Sequence, residues 1–441
     1  MKKVSIYFLA LIVQICIFVQ RLPALTDEEV YRTLNFNYIT PGARALGFGG
    51  AFISLADDAT AAEANPAGLT ILAKPELFGE LRAARFNDKA YSVEGGIFGS
   101  AWTQLHFVAY NSPTFFSFTY PTPYLTLAFS RQEVMNINSK VSSSFDLGIF
   151  WNLPNFGHEK TWGDLDMKLV NWNISFARKI SKTLSAGFSV RICSIKANSS
   201  VTNWVVLKEQ DQGPDFYTLI NQRRDVAIGA NFGVLWKPNE HYSIGFVYRN
   251  QPKFHLEETY TAPEWNMWSR KPETISFINT INLPDSYGLG ISFRPTQNFT
   301  LSFDLVRMMN TDLLEDFINY YNPITIGLKE DGKEVPFTAK DKNEYHLGGE
   351  YVFFVKKIPV AVRLGYYTDP QHRIFLDKAS YQELNNVSPE AVAEAFPEGK
   401  LIHHVTAGFG LAIRDNSQLD FAFDYSKQRK EAVISFIFRF E

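Results

Sequence analysis

Phe299-Thr300-Leu301-Ser302-Phe303-Asp304-Leu305 sets a large apolar side chain at every odd position and a polar one at every even position. In an extended strand successive side chains point to opposite faces, so this stretch has one greasy face and one polar face. The pattern recurs along the chain. Leu419, Phe421, Phe423 and Tyr425 alternate with Asp420, Ala422 and Asp424; Tyr287, Leu289, Ile291 and Phe293 alternate with Gly288, Gly290, Ser292 and Arg294. Val405, Ala407, Phe409, Leu411 and Ile413 alternate with Thr406, Gly408, Gly410, Ala412 and Arg414, and the same dyad runs through 184–192, 226–236, 242–248, 360–366 and 434–440.

The N-terminus supplies the compartment. Met1-Lys2-Lys3 precedes an apolar run over 4–19 broken only by Ser5 and Gln14, and Leu22-Pro23-Ala24 ends it at a small residue. This is the form of a secretory signal peptide spanning 1–24, with cleavage after Ala24. Beyond residue 25 no run of 18 apolar residues follows, so no transmembrane helix is expected there. Cys193 would be the only cysteine left, and an exported chain with one cysteine has no internal disulfide.

Composition alone does not decide the class. The chain has 441 residues, 46% hydrophobic and 20% charged, with 38 Phe, 20 Tyr and 8 Trp. Its 43 basic and 46 acidic residues give a net charge of −3, which argues against broad electrostatic capture of nucleic acid. The eight His are scattered, and no HExxH, GxSxG, phosphate loop or metal-ligand spacing is present. No catalytic residue, cofactor or metal is assigned.

Period-2 alternation fits either a soluble sandwich or an outer-membrane barrel. Three features favour the barrel. The polar faces carry Gly, Ser, Asp and Arg, as a polar interior requires; aromatic residues such as Tyr242, Tyr248, Tyr366 and Tyr367 crowd strand ends. Only a closed barrel satisfies every strand edge in lipid. Short connections at 121–123, 181–183, 238–241, 295–298, 355–359 and 415–417 alternate with long ones at 87–113, 134–166, 199–222, 258–274, 311–341 and 369–400, with a tight one near 429–432. That alternation predicts an all-β, antiparallel transmembrane barrel of about fourteen strands over 76–441, with 102–110 the place where further strands would enter.

Residues 25–75 break the dyad. Pro41-Gly42-Ala43-Arg44-Ala45-Leu46-Gly47-Phe48-Gly49-Gly50-Ala51-Phe52 is glycine-rich, and Leu55 to Ala64 can open as a helix near Asp57 or Asp58 until Asn65-Pro66-Ala67-Gly68-Leu69 stops it. A compact unit of this kind has a place inside the lumen, which would otherwise be a hole.

These residues resemble the N-terminal hatch of the FadL-type outer-membrane transporters. Leu283-Pro-Asp-Ser-Tyr-Gly-Leu-Gly-Ile-Ser-Phe-Arg-Pro, Tyr345-His-Leu-Gly-Gly-Glu-Tyr with Arg363-Leu-Gly-Tyr-Tyr, and His404-Val-Thr-Ala-Gly-Phe-Gly are similar to that family's later strands. The resemblance implies a fourteen-stranded barrel plugged by a hatch in the outer membrane of a Gram-negative-type bacterium. It also implies passive uptake of long-chain fatty acids, hydrocarbons or other hydrophobic compounds. Ligand would be captured at external loops, enter an internal apolar pocket and leave sideways through the wall. Membrane lipid and the barrel-assembly machinery are the implied partners, and a monomer the implied state. The same signature recurs in barrels of type IX secretion, so a non-transporting scaffold or secretion-linked barrel that binds a protein partner is the alternative.

Within this frame Gly42, Gly47, Gly49, Gly50, Asn65, Pro66 and Ala67 are candidate gate residues, which either shift to open the pocket or only pack the plug against the wall. Arg44 pairs with Asp57 or Asp58, or with an inward wall acid among Asp304, Glu350, Asp420 and Asp424. Arg191, Arg249, Arg294, Arg363 and Arg414 line the interior, where guanidinium suits a carboxylate head group. Trp265, Met267 and Trp268, with Leu313, Leu314, Phe317 and Ile318, are expected as exposed apolar loop residues: a capture groove, or loops packing on themselves.

Overall fold

The computed structural model describes residues 40–86, 91–96, 99–107, 110–146, 157–207, 215–262, 273–314, 337–372, 375–376 and 398–441. The expected signal peptide therefore lies outside the described residues. Fourteen antiparallel strands form a closed barrel. They are β1 (Glu76–Phe86), β2 (Tyr110–Pro121), β3 (Thr126–Asp146), β4 (Gly157–Lys179), β5 (Leu184–Leu207), β6 (Asp215–Trp236), β7 (Tyr242–Asn250), β8 (Ser286–Thr296), β9 (Phe299–Met308), β10 (Lys342–Val355), β11 (Ile358–Pro370), β12 (Leu401–Arg414), β13 (Ser417–Tyr425) and β14 (Arg429–Arg439). Each pairs with its chain neighbours, and β1 pairs with β14 from Glu76↔Arg439 to Phe86↔Arg429 to close the wall.

The short turns at 122–125, 180–183, 237–241, 297–298, 356–357 and 415–416 share one rim; the other connections share the opposite one, including a tight turn at 426–428 that the sequence places near 429–432, residues 429–432 being the start of β14. Two hairpins continue the sheet beyond the long-connection rim. Tyr91–Gly96 and Gly99–Phe107 extend β3 through Trp102↔Ser144 to Phe107↔Ser139. Lys253–Ala262 and Glu273–Asn282 pair together and meet β6 at Thr259↔Ile220. The two strands of the second hairpin overlap both ends of the long connection expected at 258–274, so the wall strands on either side, β7 and β8, are shorter than that expectation.

Over most of the wall the apolar face is outside. In β9, Leu301 and Phe303 are 40% exposed while Thr300, Ser302 and Asp304 are buried. Trp172, Ile174 and Phe176 of β4, and Phe188 and Ile192 of β5, face outward in the same way. No helix among the described residues is long and apolar enough to cross a membrane. A continuous apolar outer belt on a closed sheet is the arrangement that lipid demands, since every backbone N–H and C=O is satisfied within the wall. Aromatic residues stack at both rims: Tyr242 on Phe293 with centroids 4.9 Å apart near the short turns, and Tyr248 on Tyr287 at 4.8 Å near the other rim.

Candidate functional site

Residues 40–72 sit inside the wall, nearly all fully buried. Gly42, at φ 101°, starts a short helix, α1 (Ala43–Gly47), and Gly49 and Gly50 at φ 63° and 80° end it. Their N–H groups bond back to Leu46 O at 2.8 Å and Ala45 O at 2.9 Å, the left-handed termination that glycine permits. A second turn, α2 (Ala61–Ala64), runs into Asn65. Its side-chain oxygen accepts from Ala67 N at 3.1 Å, capping a 3₁₀ turn (Pro66–Ile71) whose proline stands where no donor is needed. Asn65 Nδ2 also donates to Ile53 O and to Val234 O of β6, each at 3.0 Å, so one amide ties the segment to itself and to the wall.

The wall is shaped to receive it. A methyl at Gly187 of β5 would fall on the backbone of Pro66, and one at Gly365 of β11 on Gly49. The other contacts are polar. Asp304 accepts from Ile53 N at 2.8 Å, Glu76 from Ala59 N at 2.7 Å and Glu80 from Gly42 N, while Nδ1 of His346 donates to Gly49 O at 2.7 Å.

Arg44 is the electrostatic hub. It pairs with Asp57 within the segment and, through Nε at 3.2 Å, with Glu350 of β10. Glu350 accepts from Arg363 Nε at 2.6 Å, and Arg363 NH1 donates to Asp420 at 2.7 Å. Both expected kinds of partner are thus present at once, and Asp58 is a weaker neighbour at 3.9 Å. Burial alone would raise the Asp57 carboxyl; Arg44 and Arg294 outweigh it and hold Asp57 below its ordinary value. Burial prevails at Asp58, whose carboxyl is pushed up.

Above this level the strands invert their polarity. Along β5 the inward residues Ser185, Gly187, Ser189 and Arg191 give way to Cys193, Ile195 and Ala197, while the outward ones change from Phe188 and Ile192 to Ser194, Lys196 and Asn198. In β4 the inward face passes from Asn173 and Asn171 to Leu169 and Met167; in β9, from Asp304 to Val306 and Met308. The result is an internal apolar cluster. It joins Met135 and Ile137 of β3, Met167, Leu169, Cys193 and Ile195 to Phe254, Leu256, Ile281 and Leu283 of the second hairpin and its flank.

Leu313, expected as an exposed loop residue, is 1% exposed and belongs to that cluster, with Leu314 packed against it. It folds inward because Asn310–Leu314 forms a 3₁₀ turn directly after β9. Trp265, Met267, Trp268, Phe317 and Ile318 lie outside the described residues. Arg191 and Arg363 are buried inside as expected, but Arg414 is exposed where the β12–β13 register shifts beside a short turn. Sequence reasoning passed over Glu63, whose carboxylate takes Arg191 NH2 at 3.0 Å, and Glu80 and Glu76. The inversion left a visible signal: at Ile192-Cys193 two apolar residues stand side by side and the dyad changes phase.

The model of a family described as outer membrane protein transport protein (OMPP1/FadL/TodX) matches residues 35–354. Among solved structures, a Pseudomonas aeruginosa FadL homologue is similar at TM-score 0.59 and 14% identity, over 92% of this chain and 99% of that one. The P. putida toluene transporter TodX gives the same values. The CymD monoaromatic hydrocarbon channel is similar at TM-score 0.54 and 16% identity, over 92% and 99%. These likenesses show a shared fold. No curated protein sequence matches.

Proposed function

This chain belongs to the OMPP1/FadL/TodX family of outer-membrane transport proteins, and from that premise we propose that it is a channel for passive uptake of hydrophobic compounds such as long-chain fatty acids. The observation that carries the reading is the apolar cluster inside an otherwise polar lumen. Apolar side chains facing inward, with polar ones outside at the same height, have no use in a water-filled pore; they suit a guest that prefers oil to water. Each Å² of guest surface buried there contributes roughly 25 cal/mol, and the concentration gradient supplies the direction.

In this reading residues 40–72 act as a hatch below the cluster, and the guest leaves sideways. Two irregularities support a wall exit beside β2. Its register on β1 slips between Glu80 and Leu81, leaving Thr114 extra, and that of β3 on β4 slips between Glu133 and Met135, leaving Val134 extra. Glu80 and Gln132 both pair with Phe115, so the two bulges stand at one height. Val134 is itself part of the apolar cluster. Bulges break the ladder where a wall can part.

The test is to purify the barrel, extract and identify co-purifying lipid by mass spectrometry, and titrate it with oleate. Bound apolar molecules and saturable binding are expected. A barrel that carries none and binds none is not a transporter of this class.

A further inference from the structure

We propose that the outer wall carries a seat for the head group of a phosphorylated membrane lipid, built by Lys168, Lys196 and Arg224 at the upper edge of the apolar belt. The site faces the membrane and is independent of whatever the channel passes.

The outward residues of β4, β5 and β6 change character in one cross-strand row. Trp172, Ile192 and Ile228 stand opposite one another and are all exposed. One row up come Val170, Ser194 and Val226, and the next row is Lys168, Lys196 and Arg224, in register across all three strands. The height agrees with a bilayer. An apolar band about 25 Å tall, crossed by strands tilted at about 40°, takes up roughly ten residues. Along β6 the outward positions from Trp236 to Val226 are all apolar and fill that span, and Arg224 is the next outward residue. The row lies on the side of the long connections, which is the external side of such barrels.

Neighbouring strands are about 4.8 Å apart, so the three cations span about 10 Å. Like charges placed directly opposite each other destabilise a sheet, and an anion laid along the row relieves that cost. The protein supplies little of it. Glu133 of β3 takes Lys168 Nζ at 2.7 Å and is shared with Arg131 NH2 at 3.4 Å. Lys196 Nζ meets the neutral side-chain amide of Asn198 at 3.1 Å, and among the described residues neither Lys196 nor Arg224 forms an ion pair. Asp166, one row higher and opposite Asn198, confines a phosphate to the cation row.

A phosphate seated there receives charge-assisted hydrogen bonds from the Arg224 guanidinium and the two ammonium groups. Acyl chains attached to it run down over Val226 and Ile228, which at 59% and 72% exposure leave room for them on the wall. The occupant is therefore a lipid with phosphate above and hydrocarbon below, in the external leaflet; a neutral lipid gains nothing from the row.

The experiment titrates the full barrel in detergent with diphosphoryl lipid A and, separately, with dioleoylglycerol, counting bound lipid by native mass spectrometry. The wild type is expected to prefer lipid A. Lys196→Gln with Arg224→Gln is expected to weaken lipid A binding roughly thirtyfold, about fivefold for each cation, and to leave dioleoylglycerol unmoved. Arg178→Gln with Lys182→Gln removes the same charge at the short-turn rim and is expected to change binding by less than about twofold. Lys196→Arg with Arg224→Lys keeps the charges and is expected to keep the affinity. Heat-modifiable gel mobility reports that each variant folds. Equal losses in the two Gln pairs, or no loss in the first, overturn the seat. Displacement of lipid A by millimolar inorganic phosphate overturns the lipid as occupant.

Discussion

Arg44 and Glu350 are 306 positions apart in the chain, yet Nε of one lies 3.2 Å from a carboxylate oxygen of the other. This contact joins the inner segment to a wall network that runs on through Arg363 to Asp420. Replacing Arg44 by Met leaves Asp57 and Glu350 facing each other without their shared cation. Removing one partner of a fully buried pair costs about 3–5 kcal/mol; Arg44 and Asp57 keep some solvent contact, so about 2–3 kcal/mol is expected here. Hydrogen exchange over residues 40–72 should accelerate accordingly, and an unchanged rate would remove Arg44 from the role of fastener.

Gly187 and Gly79 make a matched pair. A methyl on Gly187 meets the backbone of Pro66, whereas a methyl on Gly79 meets nothing within 4 Å. Gly187→Ala is expected to cost about 1–3 kcal/mol through overpacking, and Gly79→Ala to be close to neutral. Thermal unfolding followed by gel mobility distinguishes them; equal losses would mean that the segment yields at Pro66.

The outer belt can be tested at Ile291, which faces outward on β8 at 44% exposure. Ile291→Lys places an ammonium in hydrocarbon and is expected to destabilise the barrel by about 2–4 kcal/mol near the bilayer midplane. Urea titration in lipid vesicles measures this. A loss below half a kcal/mol would place this residue outside the hydrocarbon.

Ser54 of the inner segment and Ser302 of β9 bring their hydroxyls to 3.4 Å. If uptake requires the segment to shift, the Ser54→Cys, Ser302→Cys double variant should lose oleate uptake when oxidised and regain it on reduction. Uptake that continues in the oxidised form would show that the segment stays in place.

Acid should act in two stages. Asp57 has a depressed carboxyl, so its stabilisation is complete above the unfolded value of about 3.9 and is lost as pH falls through its lower folded value. Asp58 is shifted upward by burial, so its ionised form is a burden near neutrality that protonation relieves as pH falls toward about 3.9. The segment should therefore remain docked down to about pH 4 and detach below it. Limited proteolysis across this range would show the order; release beginning above pH 5 would contradict it.

Much of this architecture was legible because lipid enforces a simple code. A wall strand must be apolar on one face for its whole membrane height, and Phe299–Leu305 or Leu419–Tyr425 announce that without any knowledge of their neighbours. The turns were equally plain, since Pro295 removes a ladder donor at the very end of β8 and Asp415-Asn416 reverses the chain after β12. The hairpin made by Lys253–Ala262 and Glu273–Asn282 was less so: above the membrane the outer face meets water instead of lipid, so the alternation reads in the opposite sense, and its apolar residues Phe254, Leu256 and Ile281 join an internal cluster. The partners of Arg44 were legible only as a set. Coulomb attraction does not depend on chain separation, so nothing local selects Glu350 over Asp420 or Asp424. Leu313 went astray for a related reason, because a loop leucine reads as exposed until the surface that covers it is known.

Glu76 begins β1 and lies in the seam that closes the barrel: one of its oxygens is 2.9 Å from Arg439 of β14, and the other accepts from Ala59 of the inner segment. One side chain is therefore shared between the last pairing of the wall and the first arrivals inside it. The segment's other wall partners are spread from Glu80 to Ser435, so its full set of partners exists only after the first and last strands have met. Docking is thus a late event in assembly with very high contact order. The interior fills as a proof that the ring has been completed, and a chain whose ends fail to join has nowhere to put its own N-terminal part.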